Sequence, residues 1–390
     1  MELDLIIALV AYALVIGAWI LHEVYLAKAI GNGATSEGRE NPTRPRAHSD
    51  GSLMALSVVI CVRDGADEIR ALLHALKSQE FELNWEVVVV DDDSNDGTWE
   101  ELQSFEKNEE MPFNLQMIQI QDTRPGKKEA LQLGVKQAKG DVLIFTDADC
   151  LPGGRHWLAH MMEAMNQGCG LVLGVSLPLL SRAPRLLGAL QAWDALRIAR
   201  NYIGWSQCGH PYMGVGRNIA VRSSIYPKTN AHLDLASGDD DLMVQQLLAA
   251  GHQQASVCLA RDSQVDSKLP ATASGWRNQK RRHWSTAPRY PLGTAIRLML
   301  PQLLTVLGIL LGLLAAMLGS GDGVLHIVLW IVGIGMGSAW LVAFLTFRSI
   351  AKACQTPLRW LHLGWLQPIG ACWVWMMAIS MVFVRMKREW

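Results

Sequence analysis

Two carboxylates one residue apart, Asp147 and Asp149, follow the apolar run VLIFT at residues 142–146. Carboxylates at that spacing can share one hard divalent cation, Mg²⁺ or Mn²⁺, which prefers oxygen ligands and completes its shell from substrate phosphates. Such a cation offsets the charge of a diphosphate leaving group. A second acidic run, Asp91-Asp92-Asp93, closes the apolar VVVV of residues 87–90. Three adjacent carboxylates repel one another, so something must offset them. One of them can accept a hydrogen bond from a nucleobase N–H or a ribose hydroxyl. The competing role is a strand-end turn, with Asp96 or Thr98 capping the next helix.

Lys127 and Lys128 follow Arg124-Pro125-Gly126 and are placed to reach a phosphate, although Lys128 also fits the solvated first turn of a helix. A third acidic run, Asp239-Asp240-Asp241, opens a helical pattern. Acids in a first turn complement the helix dipole. Three exceed what capping requires, and one can be the general base that takes a proton from an acceptor hydroxyl. The stretch WRNQKRRHW at residues 276–284 suits a membrane interface. That role leaves Arg282 and Trp284 able to face the site as well.

The elements that must position these groups alternate. Residues 57–62, 87–90, 115–120 and 142–146 read as strands, and 66–79, a stretch from about Thr98, and 126–138 read as helices. This alternation predicts an α/β fold with a parallel sheet covered on both faces. Ligands bind beyond the carboxyl ends of such strands, where Asp64, the 91–93 run, Asp147 and Asp149 stand.

Apolar segments flank this region. Residues 5–21 carry no charge and are long enough to span a bilayer. The acidic start, Glu2 and Asp4, is unlike a signal peptide. Residues 302–318, 324–347 and 361–384 are three further expected spans, with Arg348, Lys352 and Arg359 in the basic stretch before the last. The expected division is an N-terminal transmembrane helix over 1–30, a linker over 31–54, a catalytic domain over 55–290 and a membrane region over 291–390. The acidic start and the basic residues after the first span place the catalytic domain in the cytoplasm of a multi-pass cell-membrane protein. Four spans would then put the basic Arg385, Lys387 and Arg388 outside, against the same rule. The formal net charge of −1 on 390 residues gives no electrostatic footprint for nucleic acid. Seven cysteines without a CxxC pair, among them Cys61, Cys258 and Cys372, read as reduced packing residues. His156 and His160 lack the intervening Glu of a metalloprotease helix and read as helix surface.

In this order and spacing, SVVICVRDG, VVVVDDDSNDGT, RPGKKEALQLGV, GDVLIFTDADCLP, GVGRNIAVRSS, SGDDDLMVQQLLAAGH and QKRRHW make residues 55–290 resemble the family 2 glycosyltransferases, which have a GT-A fold. The resemblance implies inverting, metal-dependent transfer of a hexose from a nucleotide diphosphate sugar, a UDP-sugar by expectation. By motif position it implies Asp92 at the nucleobase with Cys61 and Arg63 nearby, and Lys127 at base or phosphate. It likewise implies Asp147 and Asp149 on Mg²⁺ or Mn²⁺, Asp239 as the base with Asp240 open, and Gln279, Arg282 and Trp284 on the substrate. Three positions depart from the family pattern: Asp64 replaces an Asn, Gly238 stands in the Glu place of the acidic base motif, which leaves its register open by one residue, and His283 stands where the processive synthases have Trp, with Trp284 one place late. The expected acceptor is a membrane lipid or lipid-linked intermediate. A processive polysaccharide synthase and a catalytically silent membrane partner subunit are the alternatives. A transporter is disfavoured by spans almost free of charge.

Overall fold

The computed structural model describes residues 2–36, 55–121, 126–166, 168–178, 185–227, 238, 240–320, 323–354, 366, 369–370 and 372–376. Within the described residues, four parallel strands form the heart of the molecule. They are β1 (Leu56–Val62), β2 (Trp85–Asp92), β3 (Asn114–Ile120) and β4 (Val142–Asp147), in the order β3-β2-β1-β4. Helices α2 (Ala66–Lys77), α3 (Thr98–Asn108) and α4 (Lys127–Gln137) make the crossovers. Val87 to Val90 are fully buried, which explains a strand without polar alternation: it is covered on both faces. Each such side chain contributes about 1.5–3 kcal/mol by leaving water. Gly134 lets α4 lie flat on the sheet, since a Cβ there would meet Val59 Cγ1 at 2.8 Å.

Beyond β4 the sheet continues through short strands, labelled in chain order with β5 (Cys150–Pro152), β6 (Leu171–Gly174), β7 (Ser176–Pro178), β8 (Ile219–Arg222), β9 (Ser256–Cys258) and β10 (Val265–Ser267). Antiparallel β8 joins β4 to β6, and β9 closes the sheet. The remaining three form a small second sheet in the order β5-β10-β7. Helix α5 (Trp157–Met165) covers one face of the main sheet, and α6 (Arg185–Gln207), α7 (Asp241–Ala249) and α8 (Ala273–Trp284) lie around the other half of the domain.

Three long helices are apolar enough to cross a membrane: α1 (Glu2–Ser36), α9 (Leu292–Gly319) and α10 (Leu325–Ala353). They pack closely. Tyr12 of α1 donates to the Val332 carbonyl at 2.6 Å, and the ring fits only because Gly335 has no side chain. The bundle is joined to the sheet domain through α6. Arg200 Nη1 lies 2.8 Å from Glu23 Oε2, Thr346 donates to the same oxygen at 2.9 Å, and Trp193 stacks on Phe347.

Several expectations change. Residues 31–36 continue α1 instead of starting a linker, because extending a formed helix costs little compared with nucleating one. Residues 37–54 lie outside the described residues. Glu23 is a buried charge inside an apolar helix, tolerated because Arg200 neutralises it. His160 is buried, not surface, as is Lys128. Cys61, Cys258 and the other cysteines are free thiols, but Cys372 is exposed and does not pack. Of the expected span 361–384, only residues 366, 369–370 and 372–376 are described.

Candidate active site

The register of the sheet assembles the site. Cys61 on β1 pairs across to Asp147 on β4, and Val62 pairs with Asp91 on β2. The carboxyl ends of three strands therefore present Asp91, Asp92, Cys61 and Asp147 along one edge. Asp91 and Asp92 belong to β2 itself rather than to the turn after it, and both are buried.

The turns beyond this edge are stitched together. The Asp64 N–H donates to Ser94 Oγ at 2.9 Å, and the Asn95 N–H returns a bond to Asp64 Oδ1 at 2.8 Å. Asp64 and Asp93 have φ of 50° and 60°. Asp and Asn are the non-glycine residues that enter this left-handed region most readily, so the Asp64 departure keeps the turn geometry. Asp96 and Thr98 serve the same stitching: Thr98 Oγ1 accepts from the Gly65 N–H, and Asp96 accepts from the Ala66 and Thr98 N–H groups.

Asp92 has one carboxylate oxygen, Oδ2, that is buried without a hydrogen-bond partner. Burial raises its pKa, and the Arg63 guanidinium opposes that rise. An unpaired buried acceptor is costly, and a donor N–H from a ligand would satisfy it.

Asp147 and Asp149 lie together, each with an oxygen within 4.8 Å of the other and of Cys150 Sγ. The Lys127 ammonium sits 2.6 Å from Asp147 Oδ1. Burial works to raise the Asp147 pKa, but Lys127, Arg217 and Arg282 outweigh it and hold the carboxylate below its ordinary range. Asp149 keeps an exposed face, and its pKa is raised, first by desolvation among the groups around it, then by the Asp147 charge. Cys150 is fully buried, and burial followed by the two acids pushes its thiol well up. A protonated thiol is a poor ligand for a hard cation, so the donor set fits Mg²⁺ or Mn²⁺ through its two carboxylates.

Cys61, Lys127, Asp147 and Asp240 line one cavity, together with Thr146, Gly216 and Tyr226. Asp240 is the N-cap of α7. Its Oδ1 accepts from the Asp241 N–H at 2.8 Å, and its Oδ2 from the Gly216 N–H at 2.9 Å. Asp241 is committed elsewhere, since its Oδ2 accepts from Thr286 at 2.5 Å and Tyr290 at 2.7 Å. Asp239 lies outside the described residues. On α8, Gln279 and Arg282 are half-buried, and the Arg282 charge reaches Asp147. Trp284 packs against the large core under the sheet. Trp276 is buried and Lys280 pairs with Asp194, so neither is presented to a ligand.

Sequence reasoning passed over Arg217. It follows Gly216 in a turn fixed by Asn218, whose side chain donates to the Val175 and Ser263 carbonyls and accepts from Trp157 Nε1. The available signal was the landmark GVGRNIAVRSS, which contains Arg217; the structure adds that the fully buried Asn218 makes the turn rigid.

With this geometry in place, residues 57–178 match the family model described as Glycosyl transferase family 2. The match runs from β1 through β7, about a third of the chain. The chain is 36% identical over 123 residues to glycosyltransferase AglE of Haloferax volcanii and 33% identical over 122 residues to a dolichol-phosphate mannosyltransferase of Pyrococcus furiosus. Each match covers 31% of this chain, and 38% and 33% of those proteins respectively. The fold is similar to that of the mannosyltransferase PcManGT from Pyrobaculum calidifontis, solved with GDP-Man and Mn²⁺. That likeness has a TM-score of 0.55 at 18% identity and covers 95% of this chain and 99% of the other. The described sheet is thus of the GT-A type, mostly parallel, flanked by long apolar helices.

Proposed function

We propose that this protein is a membrane-bound inverting glycosyltransferase that moves one hexose from a nucleotide diphosphate sugar to a lipid or lipid-linked acceptor. The observation that carries this reading is the shared cavity: Lys127 and Asp147 face Asp240 across it, at the edge where β1 and β4 end. Asp92, with Arg63 and Cys61 nearby, receives the base, which we take as uracil because its N–H suits the orphaned Asp92 oxygen. Asp147 and Asp149 hold Mg²⁺ or Mn²⁺, which supplies charge neutralisation for the diphosphate when bound. Lys127 and Arg282 complement the remaining phosphate charge. Asp239 or Asp240 takes the acceptor proton, and Gln279, Arg282 and Trp284 border the acceptor.

The three apolar helices support a multi-pass protein, and the acidic start with basic residues after the first span supports a catalytic domain facing the cytoplasm. The helices also favour a lipidic acceptor, because they hold the catalytic domain beside the bilayer. The relative's dolichol-phosphate acceptor chemistry, as its name states it, is in keeping with this. Radiolabelled UDP- and GDP-sugars incubated with purified protein, Mn²⁺ and a membrane lipid extract test the reading. One chloroform-extractable product is expected. A product ladder would establish a polymerising synthase, and no transfer with any donor would leave the silent-subunit alternative.

A further inference from the structure

The apolar segment at residues 361–384 is long enough in sequence to be a fourth span, but its described residues are packed on the catalytic domain. Trp373 stacks on Trp276 of α8 with ring centroids 4.4 Å apart and planes 4° from parallel. Gly370 lies flush against Trp193 of α6; a Cβ there would meet the indole ring at 2.3 Å. Leu366 and Val374 are buried in the same core as Trp193, Tyr202 and Phe347. The end of α10 is tied to this face too, since Gln264 donates to the Cys354 carbonyl.

The opposite side of the segment is bare. Ile369, Cys372 and Met376 are exposed, and their spacing of three and four residues puts them on one stripe of a helix. All three are apolar. After Met376 only eight residues, 377–384, precede the basic Arg385, Lys387 and Arg388. As helix, eight residues extend about 12 Å, against about 30 Å of hydrocarbon to cross.

We infer that the described residues 366, 369–370 and 372–376 belong to an interfacial strap that docks on α6 and α8 and lays the Ile369, Cys372 and Met376 stripe into the membrane surface. It lies on the same bilayer face as the catalytic domain. The occupant of the stripe is the boundary between headgroups and acyl chains. Two observations select it over a protein partner. Cys354, which caps the end of α10, is buried in the same core as Leu366 and Val374, and α6, which shares that core, packs against the spans. The described residues then cross the membrane three times, which would leave the basic tail on the side of the catalytic domain. This removes the conflict that four spans create with the positive-inside rule. Because the Trp276–Trp373 stack fixes α8, the strap also sets the position of the helix carrying Gln279 and Arg282. The inference rests on α1, α9 and α10 being membrane spans.

Depth and sidedness test it. In a chain whose native cysteines are replaced, Met376→Cys and Ile369→Cys are labelled with an environment-sensitive fluorophore in proteoliposomes containing lipids spin-labelled near the headgroup or near the chain end. Stronger quenching by the headgroup-proximal label is expected. Stronger quenching by the chain-end label would make the segment a fourth span, and no quenching by either would mean that water or a second protein covers the stripe; both overturn the inference. In intact cells, an impermeant maleimide is applied to cysteines placed in the 37–54 stretch and at Ser380. Opposite labelling of the two sites overturns the strap. Labelling of both leaves the strap standing and refutes only the cytoplasmic orientation. Hydrogen exchange reads the stack: Trp373→Ala is expected to raise exchange in residues 273–284 several-fold while α9 and α10 stay protected. Unchanged exchange there would show that the strap does not hold α8.

Discussion

The Lys127 ammonium lies 2.6 Å from Asp147 Oδ1, so the protein's own cation sits on one of the two carboxylates that suit a divalent metal. Lysine and metal compete for that oxygen. Lys127→Met is therefore expected to bind Mn²⁺ several-fold more tightly in the absence of nucleotide while binding the donor more weakly. Asp147→Asn and Asp149→Asn are each expected to lose Mn²⁺ binding and nearly all turnover, because each removes a charged ligand. Titration of Mn²⁺ by electron paramagnetic resonance reads the first effect separately from catalysis. Wild-type activity in excess chelator would end the metal assignment.

The donor base is tested at Asp92. Its Oδ2 is buried and unpaired, so a base N–H that reaches it gains most of what an unmade hydrogen bond forfeits, about 1–3 kcal/mol. Asp92→Ala should weaken UDP by roughly ten- to a hundredfold on the same principle. Calorimetric titration with UDP and GDP measures it. Much tighter binding of GDP than UDP would overturn the uracil reading.

The general base is one of two neighbours. Asp240 lines the cavity but also caps α7 and holds Gly216. Asn is as good an N-cap as Asp, so Asp240→Asn keeps the cap on α7; with the basicity it gives up one of the two accepted N–H bonds, the one from Gly216. If Asp240 takes the proton, turnover collapses while donor affinity holds. Asp239→Asn tests the other position in the same way. Loss of donor binding in step with turnover would reassign the affected acid to structure.

A stability measurement probes the join between α6 and α8. Asp194 is buried, and burial alone would raise its pKa. The Lys280 and Arg197 charges reverse this and bring it down to about 2. A carboxyl whose folded pKa lies below its unfolded value, about 3.9, stabilises the fold above that value and loses the contribution as pH falls toward 2. The difference corresponds to an order of 2–3 kcal/mol at neutral pH. Thermal unfolding in detergent should show Asp194→Asn losing several degrees at pH 7 and converging on the parent as pH falls through 4. A constant difference at all pH values would remove the ion pair as the cause.

The catalytic half was legible because its signals are local. An all-valine strand ending in acids, or a strand running into Asp147, carries its own period and its own terminus. The antiparallel β8 and the three-stranded β5-β10-β7 sheet were not legible. Their strands are three or four residues long, too short for periodicity to register, and they exist because distant partners pair with them. The same holds for charge. Lys128 and His160 look like surface residues in sequence and are buried, and Glu23 sits within an apolar helix because Arg200, 177 positions away in sequence, meets it. The segment 361–384 reads as a span by composition alone, and only the Trp193 and Trp276 contacts show where its described part lies.

Arg217 provides the last test, at a residue inside the GVGRNIAVRSS landmark that sequence reasoning leaves without a role. Its Nε is buried without a partner, and its positive charge helps hold Asp147 ionised beside Lys127 and Arg282. Once a divalent cation neutralises the two carboxylates, the guanidinium is free to serve a phosphate. The leaving diphosphate gains negative charge as the sugar bond breaks, so a fixed donor there acts more in the transition state than in the ground state. Arg217→Gln is expected to lower kcat by about 10²–10³-fold, the usual loss for one preorganised donor, with a small change in KM for the donor. Product inhibition by UDP should weaken while inhibition by uridine stays as it was, a pattern that a misfolded turn would not give. If kcat survives, the guanidinium is no more than a structural counter-charge for Asp147.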